Sequence, residues 1–385
     1  MRLHRIACFL ALVVSAALSG TVSAQADEKE KSAAAVPAES DHDSATTQSD
    51  IQVGDVLTVK LDEILPTQPV LAYDRIFASL GRYEARPAQL FDDLCLTNGG
   101  GGIQTWHEDS KPTDLESYTC KQKPGSQQDA LPTVLVAPDG KTLYLLSGHH
   151  ILSTFWDMPN GGTSVPVLVK VTHSLAEGDI DEKWDAMKKA GQIWLYNTRG
   201  EKIKPSDLPQ YLGMKQLKHD KYLSLVFFLR NVAYSDPDTD FPMANPLIRP
   251  MSVPYLQYHW AQFLRKKMKV SQYDLDDPEQ YTAALKEAAS MIVNAPDDEE
   301  IPGSGKTAKA LGKFEEMNTK VLDSLLSRQT SSWHYAMAYR IREQEESTPK
   351  RVLEARKAKE AEEKAKQEKA ASGESQEGTK AGESQ

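Results

Sequence analysis

The residues best suited to chemistry in this sequence are Ser147-Gly148-His149-His150. They fall where a predicted strand, Thr142–Leu146, gives way to a predicted helix, His149–Met158. Glycine lets the backbone turn tightly there, and the first helical N–H groups are then left without intrahelical acceptors. Such a helix start attracts anions, phosphate above all. Two imidazoles beside it could donate hydrogen bonds, shuttle protons or hold a metal. Neighbouring helical residues diverge by about 100°, so one ring can face a cleft while the other packs. The structural alternative is that both histidines cap and pack locally.

The elements that must position this turn are legible around it. Thr133–Ala137 and Thr142–Leu146 read as a hairpin joined by Pro138-Asp139-Gly140, with the glycine free to adopt positive φ. Val56–Leu61 and Val165–Val171 suit strands, and Tyr73–Tyr83 suits a helix. Pro66-Thr67-Gln68-Pro69 turns the chain between the first strand and that helix. The second half reads as helical: Asp181–Ala190, the apolar run Lys221–Tyr234, then Pro254–Met268, Pro278–Val293 and Lys306–Arg328, two of which open with proline. Four prolines between 235 and 253 mark an ordered loop. The expected architecture is α+β, a small mixed sheet at 55–175 followed by a helical extension at 176–340.

Residues 56–268 resemble the ParB-like putative nuclease family, a branch of the ParB/sulfiredoxin superfamily. The resemblance rests on an ordered series: Val59-Lys60-Leu61 leading to Pro66-Thr67-Gln68, then Pro138-Asp139-Gly140, Gly148-His149-His150, and Trp184 with Met187. Trp194-Leu195-Tyr196, Gly200, Asp207-Leu208-Pro209, Asp220-Lys221-Tyr222 and Trp260-Ala261 continue it. The resemblance implies a ParB/sulfiredoxin-like core in which a glycine-led turn holds phosphate. By position, Gly148 matches the family's glycine, while His149 and His150 replace its Glu-Arg or Cys-His. Ile151 stands where a last arginine would be, which removes a bidentate phosphate donor. Without a cysteine at 149, sulfinic reductase chemistry is not expected.

By that resemblance, His149 and His150 are the candidate acid/base pair or ligands for a divalent metal of unknown identity. Ser147 and Gly148 would hold the phosphate, with Thr67 and Gln68 lining the cleft. The implied activity is nuclease-like phosphodiester hydrolysis. The alternative is a non-catalytic module for a nucleotide or another phosphate ligand. Lys60, Asp74 and Arg75 are weaker candidates whose default reading is surface charge. His107, His173, His219, His259 and His334 have no partner visible by spacing, and Trp184, Trp194 and Trp260 read as core.

Composition narrows the class. The 385 residues are 40% hydrophobic and 8% aromatic, enough for a core. The net charge of −10 opposes unspecific nucleic-acid binding but leaves room for a local basic groove. Arg2, Arg5, the apolar stretch Ile6–Leu18 and the small residues Val22-Ser23-Ala24 and Ala24-Gln25-Ala26 match an export signal at 1–24. An uncleaved membrane anchor is the other reading of that stretch. The expected location is periplasmic or secreted, with no transmembrane segment after cleavage. Export leaves Cys95 and Cys120, which suggests one disulfide worth about 3 kcal/mol in loop closure. A metal site of Cys95, His107 and Cys120 is the alternative, although its spacing matches no compact zinc pattern. Residues 25–54 read as a disordered linker, and 341–385 as a charged helical or disordered tail able to reach a protein partner. Gly303-Ser304-Gly305-Lys306-Thr307 resembles a phosphate loop, but Glu300 occupies the position of its first glycine. A helix start after a flexible link is the better reading.

Overall fold

A computed structural model describes residues 51–175, 180–238, 247–248, 252–347 and 349. The expected signal, most of the linker and the tail beyond 350 lie outside the described residues. Strands β1 (Val56–Lys60) and β2 (Ile64–Pro66) open the fold, followed by β3 (Val70–Leu71), α1 (Tyr73–Ala85) and α2 (Ala88–Thr97). Then come β4 (Ile103–Thr105), β5 (Thr119–Cys120), β6 (Thr133–Val136), β7 (Leu143–Leu145), α3 (His149–Asp157), β8 (Pro166–Ser174) and α4 (Ile180–Lys189). The architecture is α+β.

The central sheet has the order β1-β8-β6-β7-β2 and mixes parallel and antiparallel pairs. β6 and β7 form the expected hairpin, with Val134 opposite Leu145 and Val136 opposite Leu143. Its turn is closed by Asp139, whose Oδ1 accepts from Lys141 N at 2.9 Å and Thr142 N at 2.8 Å. Alternation along β6 sends Val134 and Val136 into one core and Leu135 into another. The first core lies under α1, α2 and α3. The second is closed by Trp184 and Met187 of α4. Both faces of the central strand are therefore covered, which explains its unbroken apolar run.

The chain continues through β9 (Lys218–His219), α5 (Lys221–Leu229), α6 (Leu256–Lys267) and α7 (Pro278–Val293). It ends with β10 (Glu300–Ile301), β11 (Lys306–Thr307), α8 (Thr319–Ser327) and α9 (Ser332–Ser347). The starts of α5 and α7 are capped by aspartates. Asp220 accepts from Tyr222 N and Leu223 N, and Asp277 accepts from Gln280 N just before Pro278. A third core gathers Trp260, Tyr234, Tyr281 and Trp333 with Val70, Ala72 and Ala78 from the first half. The divide expected between core and extension is crossed most heavily by α1 against α9. A Cβ on Gly81 of α1 would clash with the Tyr335 carbonyl oxygen of α9. The expected boundary at 340 falls inside α9.

Two helices differ from expectation. Lys306–Arg328 is not one helix. Gly303, Gly305 and Gly312 all adopt positive φ, so the segment folds as the β10–β11 hairpin, and α8 starts only after Asn318. The phosphate-loop look-alike is the turn of that hairpin. The apolar run 221–234 ends its helix at Leu229, because Asn231 takes φ 63° and the chain bends so that the Asn231 N–H donates to the Tyr234 carbonyl. Among the described residues, no helix is long and apolar enough to cross a membrane.

Candidate functional site: a sealed turn beside an arginine cleft

Gly148 takes φ 91° as the N-cap of α3, the left-handed conformation that the sequence requires of it. The surroundings are apolar rather than open: a Cβ at 148 would lie 3.3 Å from Pro132 and 3.7 Å from Ile248. His149 and His150 are only 4% and 8% exposed. The Thr67 N–H donates to His149 Nε2 at 3.1 Å, and the Ala72 N–H donates to His150 Nε2 at 3.0 Å. A backbone N–H can only donate, so both Nε2 atoms are acceptors and each neutral ring carries its proton on Nδ1. Burial pushes His149 from 6.5 down to about 3. Burial, with Arg75 and His149 adding to it, holds His150 well below its ordinary value. The two rings are neutral fasteners between α3 and the 67–72 segment. Neither has a free Nε2 to act as base or metal ligand.

The expected phosphate-holding residues are engaged in the same fastening. Thr67 Oγ1 donates to the Leu145 carbonyl at 2.5 Å, and Thr67 is fully buried. Gln68 Nε2 donates to the Val70 carbonyl at 2.9 Å and to Tyr258 Oη at 2.6 Å. Ser147 Oγ accepts from Thr133 N at 2.9 Å, tying the end of β7 to β6. Thr67 and Gln68 therefore do not line a cleft, and Ser147 serves the hairpin.

An open cleft of about 400 Å³ lies one turn further along α3, bordered by His150 and Thr154. Its charged lining is Arg75 and Arg82 from α1 and Arg230 from the bend after α5, and among the described residues no carboxylate lines it. Arg75 donates to the Leu247 carbonyl, and Arg82 pairs with the buried Asp93. Arg230 is half-buried, and burial lowers its pKa. Among the described residues, Nε of Arg82 and Nε of Arg230 are buried without a hydrogen-bond partner. Three guanidiniums therefore border one partly desolvated cleft with no carboxylate among its described lining residues, and one of them, Arg82, is already paired with Asp93.

Residues 57–266 match the family described as "Putative ParB-like nuclease". The chain belongs to this family. The ParB-like match contains the Gly148 turn and all three cleft arginines but stops before α8 and α9, which supply the opposite wall through Val321, Leu325, Ser332 and Tyr335. The crystal structure of protein Atu1540 from Agrobacterium tumefaciens is similar at 18% identity, over 66% of this chain and 98% of that one, with a TM-score of 0.42. No curated protein matches the chain.

One further placement in this ParB-like chain differs from the sequence reading. Asp74 is 0% exposed, not a surface charge. Arg340 of α9 grips its Oδ1 at 2.6 Å, Tyr281 donates to its Oδ2 at 2.7 Å, and His219 Nε2 lies 3.9 Å away. Burial pushes the Asp74 carboxyl up, yet Arg340, His219 and Tyr281 together hold it below its ordinary value. Arg82 and Arg230 were missed from the sequence. The interruption of an apolar run by Arg230-Asn231 was the available signal for the second. Cys95 and Cys120 are joined as a disulfide with Cα atoms 5.4 Å apart, so neither is a metal ligand. Among the described residues, no group of three or more His, Cys, Asp or Glu is placed to hold a metal ion.

Proposed function

We propose that this protein binds a phosphate-bearing ligand, a nucleotide in the first instance, in the cleft between α1, α3, the end of α5 and α8–α9. The carrying observation is the convergence of Arg75, Arg82 and Arg230 on one cleft with no carboxylate among its described lining residues. Guanidinium groups match phosphate oxygens bidentately, and an anion would supply partners for Nε of Arg82 and Arg230. Phe227 and Tyr335 on the same walls offer aromatic surface for a base. The net charge of −10 favours a short ligand over a long nucleic-acid strand.

Titration calorimetry of the full chain with a nucleoside triphosphate, a mononucleotide and a short oligonucleotide tests this reading at two salt concentrations. The expected result is saturable binding that weakens by tenfold or more in Arg75→Gln/Arg230→Gln. Absence of binding by all three probes overturns it.

A second reading, phosphodiester hydrolysis, is favoured by the family; His150 borders the cleft, but its Nε2 is held by the Ala72 N–H. Turnover of bis-p-nitrophenyl phosphate with magnesium, manganese or zinc supplied would support it. His150→Gln keeps an acceptor for the Ala72 N–H, so unchanged turnover in that variant removes His150 from the chemistry. Action outside the cytoplasm belongs to the same proposal. The Cys95–Cys120 disulfide supports an oxidising compartment, and mass spectrometry of the periplasmic or secreted form should find a new N-terminus at Gln25 or Asp27.

A further inference from the structure

A second pocket, of about 290 Å³, lies beneath the disulfide-bridged insertion. Asn98 and Tyr118 line it together with Cys120, Lys121 and Lys123. Asn98 caps the end of α2 and is 1% exposed; its Oδ1 accepts from the Leu168 N–H of β8 at 2.8 Å. That bond fixes the amide orientation, so Nδ2 is the group left over, and among the described residues it has no hydrogen-bond partner. Tyr118 is 5% exposed, packs its ring 5.1 Å from Phe91, and its hydroxyl also has no partner among the described residues. Buried polar groups are nearly always paired, so two orphaned donors on residues that line one pocket call for an explanation. Burial first, and Asp114 second, raise the Tyr118 phenol far above its ordinary value, so it stays protonated and able to donate.

We propose that this pocket binds a small organic acid, independently of the arginine cleft. Its carboxylate accepts one hydrogen bond from Asn98 Nδ2 and one from the Tyr118 hydroxyl, and its charge sits between the exposed Lys121 and Lys123. Two neutral, directional donors suit the two oxygens of one carboxylate, and among the described residues no acidic side chain lines the pocket. The volume admits a molecule of the size of a short dicarboxylate. The Cys95–Cys120 bond holds the pocket wall to α2, because Cys120 lines the pocket and Cys95 belongs to that helix.

The test is calorimetry and thermal melting of the full, oxidised chain with succinate, with acetate and inorganic phosphate as comparison arms at matched ionic strength. Succinate is expected to bind saturably and raise the melting temperature. Tyr118→Phe should weaken that binding by tenfold or more without lowering the ligand-free melting temperature, because the hydroxyl has no partner to lose. Asn98→Asp keeps the acceptor for Leu168 N–H but replaces the donor with an oxygen, and should abolish binding. Should Asn98→Asp fold poorly, Lys121→Ala/Lys123→Ala offers an exposed alternative that should weaken binding and flatten its salt dependence. Arg75→Gln/Arg230→Gln should leave succinate binding unchanged, which separates this site from the cleft. No saturable shift with either carboxylate, preference for phosphate, or equal succinate affinity in Tyr118→Phe would each overturn the assignment.

Discussion

The start of α3 and the arginine cleft are neighbours that share His150, yet they are built in opposite ways. At the turn, every group that could do chemistry is spent on the fold: two rings accept backbone N–H groups, Thr67 donates to Leu145, and Gly148 abuts Pro132. In the cleft, positive charge is kept partly buried with donor atoms in surplus. Adjacent reactive residue types in a sequence can thus be fasteners, while the charged lining of a cleft assembles from residues far apart. Burial decides which is which. A neutral imidazole that satisfies a buried N–H costs little to bury, whereas a desolvated guanidinium is retained where a counter-anion can approach.

The largest effect that would sharpen this contrast is on stability. His149→Ala removes the acceptor of the buried Thr67 N–H and leaves a cavity, a loss of about 3 kcal/mol, to be read by chemical denaturation. His149→Asn or a similar acceptor should recover part of it. A stability change below about 0.5 kcal/mol would place His149 among surface residues and break the comparison.

The next effect is on pH dependence. His149 is held near 3, His150 well below its ordinary 6.5, and His219 is lowered to about 4 by burial despite Asp74. Below pH 6.5 the unfolded rings take up protons that the folded ones refuse. Stability should therefore fall as pH drops from about 6.5 toward 4, by about 1.4 kcal/mol per pH unit for each ring, and stay level above 6.5 with respect to these groups. Asp93, which burial raises to about 6 despite Arg82, works in the opposite sense between about 6 and its ordinary 3.8. Melting temperatures at pH 7.5 and 5.5 check the net sign, and His219→Gln should reduce the slope.

A smaller effect distinguishes the two regions by function. Arg230→Gln should cost less than about 1 kcal/mol of stability, yet weaken nucleotide binding by about tenfold, equivalent to about 1.4 kcal/mol. The reverse pattern, a large stability loss with unchanged affinity, would make Arg230 another fastener. The smallest is Ser147→Ala, which loses the bond to Thr133 N–H and should cost about 1 kcal/mol without altering ligand affinity.

What could be read in advance follows the range of the interactions. The β6–β7 hairpin, the Gly148 turn, α3 and α7 depend on alternation, turn chemistry and caps within a few residues, and each stands where expected. The helix expected over Lys306–Arg328 is shortened to α8 because Lys306–Thr307 pair as β11 and Gly312 takes a positive φ. α2 was not anticipated inside the stretch leading to Cys95, nor were the two-residue strands β3 and β9, which exist only through pairing Val70–Leu71 with Lys218–His219.

From its sequence alone, this chain determined an α+β core with a glycine-led turn before a two-histidine helix, because those features are local. It also placed two cysteines where one bond could close a loop. Only tertiary structure decided that the histidines face backbone donors at 67 and 72, that Asp74 is buried against Arg340 of α9, and that Arg75, Arg82 and Arg230 meet in one cleft. The physical reason is that hydrogen-bond partners and desolvation are properties of where distant segments are brought together, and no spacing along the chain encodes them directly.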